Sequence, residues 1–192
     1  MLSDDGLQHY RLGRDVEIAV VDGERRFWNG LPLPAGPLRE GVSRLRSVAA
    51  VVVNGGNLRP DMPLGNEFGM RLEGRVFYNL RDPALRAAPA DFSGKRLHAV
   101  AGIGNPRRFF EHLRALGLSF EEHAFPDHCA YSPQFLAYKD ADALLMTEKD
   151  AVKCAGFADE RYWALVVEAV LAPAFGETIL QKLRDIDGRK IA

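Results

Sequence analysis

The sequence predicts an α/β protein whose strands lie largely in a parallel sheet, and three observations support this. Two short β-branched runs, residues 16–22 and 49–56, each end in turn residues, as buried strands do. Strand-like and helix-like segments then alternate to the end of the chain. A stretch rich in Gly and Pro separates the two regions. We therefore expect a first part over residues 1–54, a linker over residues 55–70 and a second α/β domain over residues 71–192.

The first part is predicted to alternate strand, helix and strand. A helix is predicted over residues 38–46, because Leu38, Val42 and Leu45 recur at helical spacing. Residues 2–5 are predicted to end a further strand. A domain rarely opens with polar residues and no preceding strand, so we expect the natural polypeptide to begin earlier.

The second part is predicted to contain five strands and two helices. The helix over residues 107–117 has its apolar residues on one face and ends at Gly117, and a C-terminal helix is expected near residues 176–186. The strands are predicted over residues 72–80, 96–101, 120–125, 143–146 and 163–167.

Composition excludes several classes of function. Lys and Arg number 25 against 26 Asp and Glu, so the broad positive field of a nucleic-acid-binding protein is not expected. Cys129 and Cys154 are too few for a disulfide framework and are expected to be reduced thiols. No apolar run approaches the roughly 20 residues that span a bilayer, and no signal peptide is evident, so we expect neither secretion nor membrane insertion.

Two segments of the first part carry candidate ligands for metal and phosphate. Adjacent carboxylates at the end of a strand, as in Asp4 and Asp5, are typical of Mg²⁺ sites in phosphoryl transfer, although an Asp-Gly turn in solvent is an equally simple interpretation. Further along, Arg39 and Glu40 follow a Pro-Gly-Pro turn. Arg39 could bind a phosphate and Glu40 could join a metal site, or both could simply occupy a helix start.

Asp127 and His128 are the candidate acid–base pair of the second part. A histidine beside a carboxylate in a Pro-containing loop can act as a general base or assist one, but a loop histidine is often structural. The remaining histidines of this part, His98, His112 and His123, are interpreted as ordinary strand or helix-surface residues.

Two turns of the second part could bind phosphate. Residues 102–106 join a strand to a helix but lack the third glycine of G-x-G-x-x-G, which favours a tight turn with Asn105 as the helix N-cap. Residues 147–153 follow an apolar strand, where a Thr hydroxyl and a Lys could contact phosphate. Thr147 as a helix N-cap explains the same segment equally well.

Six segments, taken together and in order, resemble the tetraacyldisaccharide 4'-kinase family, the lipid A 4'-kinases. The resemblance covers nearly the whole chain. The segments are residues 4–12, 33–40, 52–56, 101–106, 127–128 and 146–153.

The resemblance implies transfer of the γ-phosphate of ATP to the 4'-position of a tetraacyl glucosamine disaccharide 1-phosphate, the lipid A disaccharide precursor. It implies a fold in which residues 1–54 are the remnant of a P-loop NTPase-like parallel sheet, followed by a second, smaller α/β domain. It also implies Mg²⁺ as cofactor and peripheral contact with the cytoplasmic face of the inner membrane. The residue roles that it implies are Mg²⁺ binding by Asp4 and Asp5 with help from Glu40, substrate binding by Gln8, His9 and Arg39, and catalysis by Asp127 and His128.

The sequence departs from the family pattern, because the family's P-loop, its aspartate base and its amphipathic membrane-anchoring N-terminus all precede the first matching segment. No G-x-x-x-x-G-K-[ST] occurs, so no nucleotide-binding residues are assigned. We expect the chain to be an incomplete form, cytoplasmic when alone and without turnover by itself. The alternatives are a catalytically silent α/β binding module and a different nucleotide-binding enzyme that uses residues 102–106.

Overall fold

The computed structural model describes residues 2–55 and 66–191 and confirms the α/β fold class. The chain divides into two compact units, one made of Met1–Leu72 with Ala169–Ala192 and the other of Glu73–Glu168. Residues 169–192, which the sequence placed in the second part, thus belong to the first unit. The strands are β1 (Ile18–Asp22), β2 (Ala50–Asn54), β3 (Glu67–Asn79), β4 (Arg86–Ala87), β5 (Leu97–Ala101), β6 (Glu121–Ala124), β7 (Ala143–Thr147) and β8 (Tyr162–Leu171). The helices are α1 (Pro106–Ala115), α2 (Glu148–Cys154) and α3 (Pro173–Ile191), and short 3₁₀ turns lie at Gly6–Gln8, Val42–Ser47 and Pro89–Phe92.

The first unit is organised around parallel strands, as predicted. β1 pairs with β2 from Ile18 opposite Ala50, and β2 pairs with the start of β3 from Val51 opposite Glu67. Both pairs are parallel. The core beneath them consists of buried aliphatic side chains, namely Ala19, Val21, Leu45, Val48, Val51 and Val53.

Three predictions for the first unit are corrected. The helix over residues 38–46 is a 3₁₀ turn at Val42–Ser47, because the backbone of Leu38 is already bonded to Leu31 and Leu33. Residues 2–5 form no strand, and Asp5 adopts a left-handed conformation with φ of 50°. The predicted linker over residues 55–70 lies mostly outside the described residues, at 56–65, but Glu67 already begins β3, five residues before the predicted strand start.

The second unit confirms the predicted alternation of strands and helices. Within it the strand order is β3-β8-β7-β5-β6, and β4 pairs with β3. β5 is parallel to both β6 and β7, and β7 is parallel to β8. The sequence missed β4, which has only two residues, whereas α2 begins after Thr147, the residue interpreted as a helix N-cap.

Apolar layers cover both faces of the sheet in the second unit. Along β7, Ala143 and Leu145 pack with Phe110 and Leu113 on one face, whereas Leu144 and Met146 pack into a separate cluster on the other. Burial on both faces explains why the strands are continuous apolar runs. Within the described residues, no helix is long and apolar enough to cross a membrane.

Candidate active site

Glu40 is held by the segment that carries the Asp4-Asp5 pair. The hydroxyl of Tyr10 donates a hydrogen bond of 2.6 Å to Oε1, and the amide of Gln8 donates one of 3.3 Å to Oε2. Nε of Arg44 lies 3.8 Å from Oε1. Chiefly through the bond from Tyr10, and also through Gln8 and Arg44, the pKa of Glu40 is held below its usual range. Glu40 is therefore an anionic, oriented carboxylate at neutral pH.

Gln8 connects Glu40 to Arg39. Its carbonyl oxygen accepts a hydrogen bond of 3.3 Å from the Arg39 guanidinium, while its amide nitrogen donates to Glu40. Gln8, which belongs to the first matching segment, thus contacts both Arg39 and Glu40 of the second. The structure therefore brings together three of the predicted site residues, and the side chains of Gln8 and Arg39 are exposed.

Asp4, Asp5 and His9 are exposed and are not part of this hydrogen-bonded group. Asp4 Oδ1 accepts a bond of 3.0 Å from the backbone N–H of Asp5, an arrangement typical of a turn. The backbone carbonyl of His9 accepts a hydrogen bond from Arg14. Among the described residues, Asp4, Asp5 and Glu40 do not form a group of three potential ligands within 4.8 Å.

A partly buried network of ion pairs, which contacts Glu40 through Arg44, was not predicted from the sequence. Arg14 donates to the carbonyls of Leu7, His9 and Leu12 and so holds the loop that carries Gln8 and Tyr10. Glu17, just before β1, pairs with Arg14 and accepts bonds of 3.0 and 2.9 Å from Arg44. Arg14 and Glu17 lie three residues apart, but residues 14–17 are not helical, so their spacing gives no indication of this pair in the sequence.

An open cavity of about 860 Å³ adjoins this network in the first unit. Its lining mixes cations with carboxylates, so its charge alone favours neither an anionic nor a cationic ligand. The charged lining residues are Arg14, Asp15, Glu17, Arg44, Arg46, Lys182 and Asp185.

In the second unit, Asp127 is paired with Lys149, a contact that was not predicted from the sequence. Lys149 Nζ lies 3.0 Å from Asp127 Oδ1, which also accepts a bond from the backbone N–H of His128. Principally through Lys149, the pKa of Asp127 is lowered. The position of Lys149, one residue into the helix after β7, was the available signal.

His128 presents an exposed imidazole beside this carboxylate. Its side chain is 79% exposed, and Nε2 lies 3.7 Å from Asp127 Oδ2. Its φ of 60° is unusual for a residue other than glycine. Such backbone conformations are concentrated at functional sites, where the surrounding structure maintains them.

Asp150 is a buried carboxylate at the carboxyl ends of β5 and β7. It accepts hydrogen bonds from the backbone N–H of Gly102 at 3.1 Å, from the Thr147 hydroxyl at 2.8 Å and from Lys153 at 2.9 Å. The predicted N-cap is confirmed, because Thr147 Oγ1 also accepts from the backbone N–H of Asp150. Of the groups that could have contacted phosphate, the Thr147 hydroxyl and the Lys153 amine are bonded to Asp150, whereas Lys149 is bonded to Asp127.

Gly102 allows a close approach of Tyr131. A Cβ at this position would lie 2.5 Å from the Tyr131 hydroxyl oxygen. The amide of Gly102, which a phosphate-binding turn would present to its ligand, is bonded to Asp150. Asn105 occupies the N-cap position of α1 without a side-chain capping bond, so the expected Asn105 cap is wrong in that detail. These contacts favour a packing role for residues 102–106.

His98 and His123 lie on β5 and β6, in agreement with their interpretation as strand residues, but the sequence did not predict that their imidazoles are in contact. Nδ1 of His98 lies 2.9 Å from Nε2 of His123, and Glu121 completes a group of three potential metal ligands. His112 is separate from them, with Nε2 2.8 Å from the carbonyl oxygen of Gly74.

Comparisons with known proteins identify the same family that the six sequence segments resemble. The sequence pattern of the family described as LpxK, tetraacyldisaccharide-1-P 4'-kinase, matches residues 1–184. The tetraacyldisaccharide 4'-kinase of Nitrosococcus oceani is 50% identical over 191 residues, which are 100% of this chain and 54% of the relative. That of Methylobacillus flagellatus is 48% identical over 100% of this chain and 56% of its own length.

A solved structure shows the same fold. The crystal structure of LpxK from Aquifex aeolicus in complex with ATP matches with a TM-score of 0.68 and 25% sequence identity, over 93% of this chain and 56% of that chain. The chain spans about half the length of the curated relatives it matches.

Proposed function

Because the chain belongs to the tetraacyldisaccharide 4'-kinase family, we propose that it supplies part of the site that phosphorylates a lipid A disaccharide precursor. In this reaction the 4'-hydroxyl of a tetraacyl glucosamine disaccharide 1-phosphate attacks the γ-phosphorus of ATP, loses its proton, and ADP leaves. The observation that carries the proposal is the contact of two matching segments through Gln8, which joins Arg39 to Glu40.

Arg39 is proposed to bind a phosphate group of the lipid substrate. A guanidinium has five N–H donors, and the structure shows one of its nitrogens held by Gln8 at 3.3 Å. The side chain is exposed. An oriented guanidinium loses less entropy when it binds a phosphate in a fork geometry. Gln8 thus acts as a positioning residue, and His9 is proposed to contact substrate next to it.

Asp4 and Asp5 are proposed to hold Mg²⁺. Their adjacent, exposed carboxylates provide the oxygen donors that Mg²⁺ prefers, so the donor set fits the ion. Glu40 fits less well as a direct ligand, because among the described residues it does not form a group of potential ligands within 4.8 Å with Asp4 and Asp5. We infer that Glu40 acts on the metal site through its charge. When bound, Mg²⁺ neutralises the phosphate oxygens and the charge that develops during transfer.

His128 is proposed to assist removal of the proton from the 4'-hydroxyl. Its imidazole is exposed and therefore accessible to a substrate hydroxyl, and histidine is the side chain that most often serves in general acid–base catalysis. Asp127 is bonded to Lys149 and to the backbone of His128, so it fixes the loop rather than acting as the base itself. Lys149 is a further positioning residue.

Contact with the membrane is proposed from the nature of the substrate. A tetraacylated lipid resides in a bilayer, so an enzyme that acts on it works at the bilayer surface, here the cytoplasmic face of the inner membrane. Exposed apolar side chains at Trp28, Leu31 and Leu33 suit such a contact.

A hybrid kinase tests the proposal. In this hybrid, the segment of the Nitrosococcus oceani kinase that matches this chain over 191 residues is replaced by the present chain. Purified hybrid should transfer ³²P from [γ-³²P]ATP to tetraacyldisaccharide 1-phosphate, and the same protein with the segment deleted should not. A folded hybrid that binds ATP but transfers no phosphate would instead favour a catalytically silent binding module.

A further inference from the structure

His98, Glu121 and His123 lie together on one face of the sheet in the second unit. β5 and β6 are parallel neighbours, with His98 opposite Glu121 and Val100 opposite His123. Side chains at matched and alternate positions of neighbouring strands point to the same face. Nδ1 of His98 lies 2.9 Å from Nε2 of His123 and 3.9 Å from Glu121 Oε2.

We propose that His98, His123 and Glu121 bind a divalent transition metal ion of the zinc class. Two imidazoles and a carboxylate form a donor set typical of Zn²⁺, and three protein ligands leave a fourth position for water. Metal–nitrogen bonds of about 2.0–2.1 Å place two tetrahedral nitrogens about 3.3 Å apart. Without metal, the two nitrogens share a hydrogen bond of 2.9 Å. On binding, the ion replaces the shared proton, and the nitrogens move apart by about 0.4 Å as each ring turns its lone pair toward the ion.

Asp140 occupies the position of a supporting carboxylate. Its Oδ1 lies 3.6 Å from Nε2 of His98, the ring nitrogen that faces away from His123. A carboxylate there favours the tautomer that carries its proton on Nε2, which leaves Nδ1 with the lone pair that a metal needs. Metal-binding histidines are commonly oriented in this way.

The surroundings limit movement of the two imidazoles. The Tyr138 ring stacks on both, with centroids 4.7 Å from His98 and 4.1 Å from His123. His98 is only 3% exposed. None of these residues takes part in the proposed phosphoryl transfer.

A bound ion would join β5 to β6, because its three ligands lie on these two strands. The consequence for the protein is increased stability, because an ion that binds the folded state alone raises the unfolding temperature. Glu121 is largely exposed, so the ion has a path from solvent.

Titration with ZnCl₂ tests this site on the tag-free chain, first stripped with chelator. Calorimetry should show one Zn²⁺ per chain and scanning fluorimetry a higher melting temperature. Co²⁺ should give the intense visible bands of tetrahedral coordination. Asp140→Asn should weaken Zn²⁺ binding about 10–100-fold, and His123→Ala more.

Two further variants make the result decisive. Glu121→Gln changes an exposed side chain and should weaken binding without affecting the fold, even if His123→Ala fails to fold. The control His112→Gln, in the same unit but outside the group, should bind Zn²⁺ as the wild type does. Absence of Zn²⁺ binding by the wild type, or equal binding by Glu121→Gln, would overturn the proposal.

Discussion

The hydroxyl of Tyr10 donates a hydrogen bond of 2.6 Å to Oε1 of Glu40, across 30 positions of sequence. With Gln8, this bond joins the loop before β1 to the loop before β2. This bond lowers the pKa of Glu40 and raises the pKa of Tyr10, because it stabilises the charged carboxylate and the neutral hydroxyl. The contact therefore has a consequence for pH dependence.

Tyr10→Phe should raise the pKa of Glu40 toward its ordinary value. In the wild type the folded-state pKa is lower than the unfolded one, so Glu40 contributes stability above the unfolded pKa and loses it as pH falls through the folded pKa. At neutral pH the variant should lose part of this contribution to the free energy of unfolding. The part of its stability that depends on protonation of Glu40 should therefore change less as the pH is lowered. Titration of the Glu40 side-chain carboxyl by carbon NMR measures the shift. Gln8→Leu, which removes the weaker bond, should produce a smaller one.

Gly102→Ala should destabilise the second unit, because the new methyl group would lie 2.5 Å from the Tyr131 hydroxyl oxygen. Overpacking of this kind costs about 1–3 kcal/mol in the free energy of unfolding. Tyr131→Phe removes the oxygen, so the double variant should recover part of the loss in urea denaturation. If the losses of the two single variants simply add in the double variant, the close approach of Tyr131 is not the reason that a glycine is needed at position 102.

Asp150→Asn should be more damaging than substitution of an exposed aspartate. Its carboxylate accepts bonds from Gly102, Thr147 and Lys153, and an amide cannot replace all three. We expect a loss of about 3 kcal/mol in the free energy of unfolding. The control is Asp142→Asn, which removes one member of an exposed ion pair with Arg96 and should cost far less. Similar losses in both variants would contradict the role assigned to Asp150.

The fold class could be predicted because buried parallel strands have a strong local pattern. β2 and β7 are continuous apolar runs ended by polar residues, and both were located to within one or two residues. The helix over residues 38–46 could not be excluded in this way, since it was prevented by backbone bonds of Leu38 to Leu31 and Leu33 that periodicity does not record.

The site was predictable in its segments but not in its contacts. Gln8, Arg39 and Glu40 were named from the matching segments, and the structure brings them together. The contact of Lys149 with Asp127 and the contact between the imidazoles of His98 and His123 depend on strand order and register. Those are properties of the sheet, which single-residue patterns do not encode.

Turnover of the hybrid kinase with His128→Ala tests the central claim most directly, namely that this chain supplies residues of the phosphoryl-transfer site. A general acid–base contribution is typically 10²–10⁴-fold, so kcat should fall by about that factor while ATP binding and melting temperature remain unchanged. The parent hybrid, measured in the same assay, sets the reference. A stable His128→Ala hybrid that turns over at the rate of the parent would contradict the claim.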